Sequence, residues 1–191
     1  MKRLLVVLFS ICFLSLDAQI GDLFISEYAE GSGYNKYIEI YNGTGSTVNL
    51  SDYQIWKTTN GSNWPGLMLD LAGTLVNDEA YIVCSSDQSV NSIILNVADT
   101  LWPSANWNGN DAVGLVKNGI LIDVVGQDGI PPTTAWDVAG VIEATKEHTL
   151  VRKCSVMQGD TNWVNSAGID SLTSQWIVYS QDYWGDIDEH S

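Results

Sequence analysis

Two short runs with strand-like alternation, tied by a turn too polar and glycine-rich to continue either one, constrain this chain more than any other feature. Residues 23–28 and 36–42 flank Gly31, Ser32, Gly33 and Asn35. In the second run Ile38 and Ile40 share one side, while Tyr37, Glu39 and Tyr41 share the other. A strand sends successive side chains to opposite faces, so this period suits a half-buried β-strand and not a helix. A second turn at 42–46 leads into Val48–Asn49–Leu50 and then Tyr53–Gln54–Ile55–Trp56. By alternation Glu39 is expected to face outward, with a structural role such as pairing with Lys36.

The same grammar continues. Strand-like runs fall at 67–71, 73–75, 80–84, 112–116, 120–125, 149–152 and 175–179, separated by turn residues. Asn118–Gly119 between two apolar runs is a strong hairpin signal, because both residues tolerate the positive φ of a tight turn. Only 89–97 and 141–146 offer helical turns. Many short strands with frequent turns predict an all-β sandwich or barrel. Gly is abundant, at 17 residues, and only 16% of residues are charged, which agrees with a loop-rich β domain.

The sequence LFISEYAEGSGYNKYIEIYNGTGSTVNLSDYQ at 23–54 resembles the start of the lamin-tail domain, in the form found in secreted bacterial proteins. GTLVNDEAYIVCSS at 73–86 and LWPSANWNGNDAVGLVKNGILIDVVG at 101–126 resemble its later elements. The likeness is strongest over 23–126. The stretch 127–191 departs from the nuclear lamin pattern but resembles the secreted forms in TLVRK, Asn162–Trp163 and QWIVYSQD. The resemblance implies an immunoglobulin-like β-sandwich with a loop-rich C-terminal extension, acting as a non-catalytic module for protein or surface binding. It also leaves open an accessory domain or fragment of a secreted hydrolase, such as an extracellular nuclease, since the secreted forms often accompany such enzymes.

Residues 1–18 read as a secretory signal: Lys2 and Arg3, an apolar run at 4–16, then small Ala18. The run is short for a membrane span, so no stable membrane insertion is expected once it is cleaved. Residues 19–191 then form one exported domain. Removing Lys2, Arg3 and Asp17 reduces eight basic and 23 acidic residues to six and 22, a net charge of −16. Nucleic acid is an unexpected partner for such a chain, because phosphate binding needs a basic face. The one tight basic pair, Arg152–Lys153, reads as a solvated strand end. A protein or cell-surface component is the expected partner.

Cys84 and Cys154 remain after cleavage and are a disulfide candidate in an oxidising compartment, with two separate thiols as the alternative. No HExxH, GxSxG or phosphate-loop motif occurs, so no catalytic residue or cofactor is assigned. His148 reads as a strand-edge residue and His190 as part of a frayed terminus. Asn108, Asn110 and Asp111 supply clustered oxygens and are calcium candidates, although their spacing is also that of a simple turn. Asp182, Asp186, Asp188 and Glu189 form a second acidic group. Of the eight tryptophans, Trp56 and Trp176 lie on strand runs and read as packing. Trp64, Trp102 and Trp107 lie on loop-like segments and are candidates for a contact surface, including one for carbohydrate. Sequons at Asn42, Asn49 and Asn60 mark turns expected to be exposed.

Overall fold

The structure, a computed structural model, describes residues 21–129 and 131–190. The expected signal at 1–18 lies outside the described residues. Twelve strands, two short α-helices and one 3-10 turn at Leu50–Asp52 follow one another among them. In chain order the strands and α-helices are β1 (Phe24–Glu30), β2 (Lys36–Tyr41), β3 (Val48–Asn49), β4 (Tyr53–Lys57), β5 (Leu67–Asp70), β6 (Thr74–Leu75), β7 (Ala80–Ser85), α1 (Ser92–Val97), β8 (Thr100–Trp102), β9 (Val113–Lys117), β10 (Ile120–Val125), β11 (His148–Arg152), α2 (Trp163–Ala167) and β12 (Trp176–Ser180). A six-stranded sheet runs β12-β11-β1-β2-β7-β8, and a four-stranded sheet runs β10-β9-β4-β5. β3 and β6 form a small ribbon.

The two sheets bury one core between them. Ile25, Tyr28, Ile38, Ile40, Val83, Leu150 and Trp176 come from the larger sheet, and Tyr53, Ile55, Val113, Leu115 and Val124 from the smaller. These are the inward positions of each alternating run, which is why the period is legible in the sequence. The fold is thus the expected immunoglobulin-like sandwich. The stretch after 126 supplies more than loops, since β11 and β12 complete one side of the large sheet.

β9 and β10 meet at Lys117–Ile120, with Asn118 at φ 49° and Gly119 at φ 79°, the two positive angles of the expected turn. α1 lies within one of the two segments expected to carry helical turns. α2 and β8 carry no clear signal, being short and set by tertiary contacts.

Several sequence expectations are corrected. Arg152 is not a solvated strand end. It is buried, pairs with Asp123, and stacks 4.0 Å from the Trp176 ring. Its Nε donates to the Ile25 carbonyl at 3.1 Å, and Asp123 accepts the Ile25 amide at 2.8 Å. The pair links β11, β10 and β1 where β1 and β10 each carry a bulge. A bulge interrupts the ladder, and these two charged side chains bind the backbone groups beside it. His190 is half-buried against Phe24 and Tyr41, with ring centroids 5.3 and 4.9 Å away, rather than frayed. Asn42 is fully buried and donates to the carbonyls of Ser46 and Leu75, so its sequon is not an exposed turn. Trp56 lies on the outer face of β4, half-buried, and donates to Gln54 Oε1. Cys84 is buried in β7, Cys154 is exposed just after β11, and both are free thiols in place of the candidate bridge.

Candidate functional site

The three candidate contact tryptophans separate. Trp107 is fully buried; its ring stacks on Tyr28 at 5.6 Å and its Nε1 donates to the Ala29 carbonyl at 2.8 Å. Trp102 ends β8, which pairs in parallel with β7, and it is buried in the core. Neither offers a contact face. Both indoles are more valuable inside, where they fill a loop-covered end of the sandwich and Trp107 satisfies its one donor.

Of the calcium candidates Asn108, Asn110 and Asp111, the carboxylate is engaged inside the protein. The Asp111 carboxylate lies 3.4 Å from Lys57 Nζ and accepts the Asn60 amide at 2.9 Å. Lys57 is buried and also donates to Asn106 Oδ1. The positive charge at this loop is thus an internal lysine. Asn110 Oδ1 is buried without a partner. Among the described residues no three His, Cys, Asp or Glu side chains stand as a metal-binding group.

Trp64 remains, half-buried at the rim of a groove of about 470 Å³. Leu121, Val124, Asp128, Asn162, Trp163 and Val164 line it. Its construction follows from small residues beneath large ones. Gly114 in β9 leaves a flat spot: a Cβ there would sit 3.4 Å from the edge of the Trp64 ring and 2.5 Å from Leu121. The Trp64 amide donates to Asp128 Oδ2 at 3.3 Å, joining the 59–66 loop to the end of β10. On the other wall Trp163 opens α2 and meets Trp136 edge-on at 6.3 Å. Gly126, at φ 86°, leaves Trp136 that space. The Asn162 side chain caps α2 by accepting the Asn165 amide.

On α2 and the elements hydrogen-bonded to its end, the fold holds a set of aliphatic side chains in solvent, of which Val164 also lines the groove. Val164 is 70% exposed, Ile169 82%, Leu172 90% and Ile142 76%. Their backbone is hydrogen-bonded, not slack. Asp170 Oδ1 accepts the amides of Leu172 and Thr173 at 3.0 and 2.8 Å, and the Ser174 amide returns to the Asp170 carbonyl at 3.0 Å. Val138 and Val141 exchange both amide bonds around Ala139 and Gly140, each at positive φ, as in a tight hairpin. The Ala139 amide donates to the Ala167 carbonyl at 2.9 Å, tying that hairpin to the end of α2. Among the described residues, four of the five aliphatic side chains at least 70% exposed are on or next to these tied elements; the fifth, Ile120, is at the β9–β10 turn. Sequence pattern alone did not mark this surface, because Ile142 falls in a segment that reads as a helical turn and Ile169 and Leu172 fall outside every strand-like run.

A cleft of about 370 Å³ lies elsewhere, between β11–β12 and residues 186–190, and includes Lys153, Cys154, Tyr179 and His190. No polar atom buried without a partner among the described residues lies on a side chain of its lining. The groove shares Val164 with the exposed aliphatic set, which makes it the better candidate for contact.

Two packed sheets, antiparallel except where β8 joins β7 in parallel, define an immunoglobulin-like β-sandwich. A family model described as Lamin Tail Domain matches residues 17–129, more than half of the sequence, and the chain belongs to that family. No curated protein and no solved structure was found to match the chain.

Proposed function

We propose that this protein is a non-catalytic binding module, exported as in the secreted bacterial forms of its family, that engages a protein at a cell surface or outside the cell. The observation that carries the reading is the exposure of Val164, Ile169, Leu172 and Ile142 on hydrogen-bonded elements about α2, with Val164 also lining the Trp64 groove. Exposed apolar groups held on hydrogen-bonded elements are an interaction signature, because covering them releases ordered water. Asp128 and Asn162 in the groove supply polar contacts that fix orientation. The burial of Trp102 and Trp107 removes two of three stacking platforms from a carbohydrate reading and favours a protein partner. A hydrolase carried on a longer polypeptide would leave this role unchanged, with the module positioning the enzyme.

The test is affinity isolation from the native host with wild-type chain and with Ile169→Ser/Leu172→Ser, whose side chains bear little on the core. One protein retained by wild type and lost with the double variant, at unchanged melting temperature, is the expected result. Equal retention by both chains, or a glycan array signal that needs Trp64 while protein retention is absent, contradicts it.

A further inference from the structure

The outer face of the large sheet is not open to solvent, because residues 181–190 fold back over it. The Asp182 carboxylate accepts the Ser32 amide at 2.9 Å and the Ser32 hydroxyl at 2.6 Å. Thr149 Oγ1 in β11 donates to the Tyr183 carbonyl at 2.9 Å. The Asp188 amide donates to Glu39 Oε2 at 2.6 Å. Trp184 and Ile187 pack against a small second core of Ala29, Tyr37, Ile82 and Cys84. Beneath this strap lie two carboxyl groups. Glu27 of β1 and Glu39 of β2 are direct cross-strand partners, 1% and 0% exposed.

The bulge in β1 explains how they meet. The register slips between Ile25 and Glu27, so Ser26 and Glu27 both stand opposite Glu39. Ser26 Oγ donates to Glu39 Oε1 at 2.6 Å, and Tyr37 Oη to Glu27 Oε2 at 2.6 Å. Glu39 thus has a donor on each oxygen, whereas Glu27 Oε1 is buried with no partner among the described residues. The neighbouring strands add Val151 beside Glu27 and Ile82 beside Glu39, both uncharged. The strap adds Asp186 and Asp188, and Tyr37 completes the titratable groups. The charged groups that act most strongly on the pair, Asp186 and Asp188 besides the two carboxyls themselves, are all acidic.

We propose that residues 181–190 are a proton-held strap, seated while Glu27 and Glu39 retain protons and released from the sheet when both ionise. Two bare carboxylates cannot share a dry site without a cation, and lifting the strap lets water in. Burial first, then the opposed Glu39 charge, pushes the Glu27 carboxyl up to about 9. Burial pushes Glu39 up to about 7, against the hydrogen bonds from Ser26 and Asp188. Release is therefore a step above neutral pH, following the ionisation of Glu27, the second of the two. It would uncover Tyr37, Ile82 and the Cys84 thiol.

Carboxyl-carbon NMR titration of the wild-type chain tests the protonation directly. Midpoints well above the ordinary glutamate value for both groups are expected; midpoints near that value for both overturn the proposal. Hydrogen exchange tests the release. Protection of the amides at 182–189, corrected for intrinsic rate, is expected to fall about tenfold or more between pH 6 and 9 while β9 and β10 stay unchanged. Glu27→Gln/Glu39→Gln is expected to remove that dependence. A wild-type strap equally protected at both pH values contradicts the proposal, as does a strap whose protection at pH 9 is restored by millimolar calcium, which would make the pair a cation site.

Discussion

Arg152 shows how much one side chain can carry in a sandwich of this kind. Its guanidinium reaches Asp123, the Ser166 hydroxyl, the Gln175 side-chain carbonyl and the Ile25 backbone carbonyl, with no exposure to water. A buried ion pair gains little over an apolar pair, but removing one partner leaves a charge uncompensated. Arg152→Met is expected to destabilise the chain by about 3–5 kcal/mol in urea unfolding. Arg152→Lys should recover only part of that, since an ammonium cannot reproduce the planar fork. A loss below 1 kcal/mol for Arg152→Met would show that the pair is not the link between sheets described above. Asn42 offers a second test at this scale. In a glycosylating host, Asn49 and Asn60 are open to modification while Asn42 should stay unmodified, because its amide is committed to two carbonyls.

Among the elements, the β9–β10 hairpin depends on its turn. Gly119 sits at φ 79° in open space, so Gly119→Ala meets backbone strain without a steric clash. A cost of about 1 kcal/mol is expected in thermal or urea unfolding. This hairpin was legible in the sequence because local chemistry decides it. So were the alternating runs of β2, β4 and β7, where period and core agree. Three things were not legible, for physical reasons. The bulge at Ser26 alters the phase of β1, which hides the pairing of Glu27 with Glu39. Alternation did assign Glu39 to the outer face, but that face is buried by a strap about 150 residues away in sequence, and Lys36 pairs with Glu30 instead. The short β8 and α2 are fixed by neighbours, so the loop tryptophans Trp102 and Trp107 looked free when they are core. Of the candidate site, only Trp64 was identified as a contact residue; its partners across the groove come from distant segments that no local pattern joins.

At the scale of the whole molecule, the two raised carboxyls predict how stability varies with pH. Each binds its proton more tightly folded than unfolded, so their contribution is fully present below about 4.5 and is lost as pH rises toward about 7 for Glu39 and about 9 for Glu27. Each shifted group weighs up to about 1.4 kcal/mol per pH unit, until strap release limits the loss. Wild type should therefore lose stability from pH 5 to 8 relative to Glu27→Gln/Glu39→Gln, and parallel profiles would refute the assignment. Most of the strongly exposed aliphatic side chains among the described residues lie on or near α2, and a protein contact there is the account's central claim. The most direct measurement is in-cell photo-crosslinking with the probe at 169 or 172, set against a control probe at 101, where an exposed leucine lies on β8. The account expects one recurring protein adduct from 169 and 172, with none from 101. Adducts of the same protein from 101 alone, or from all three positions equally, would contradict a binding surface on or near α2.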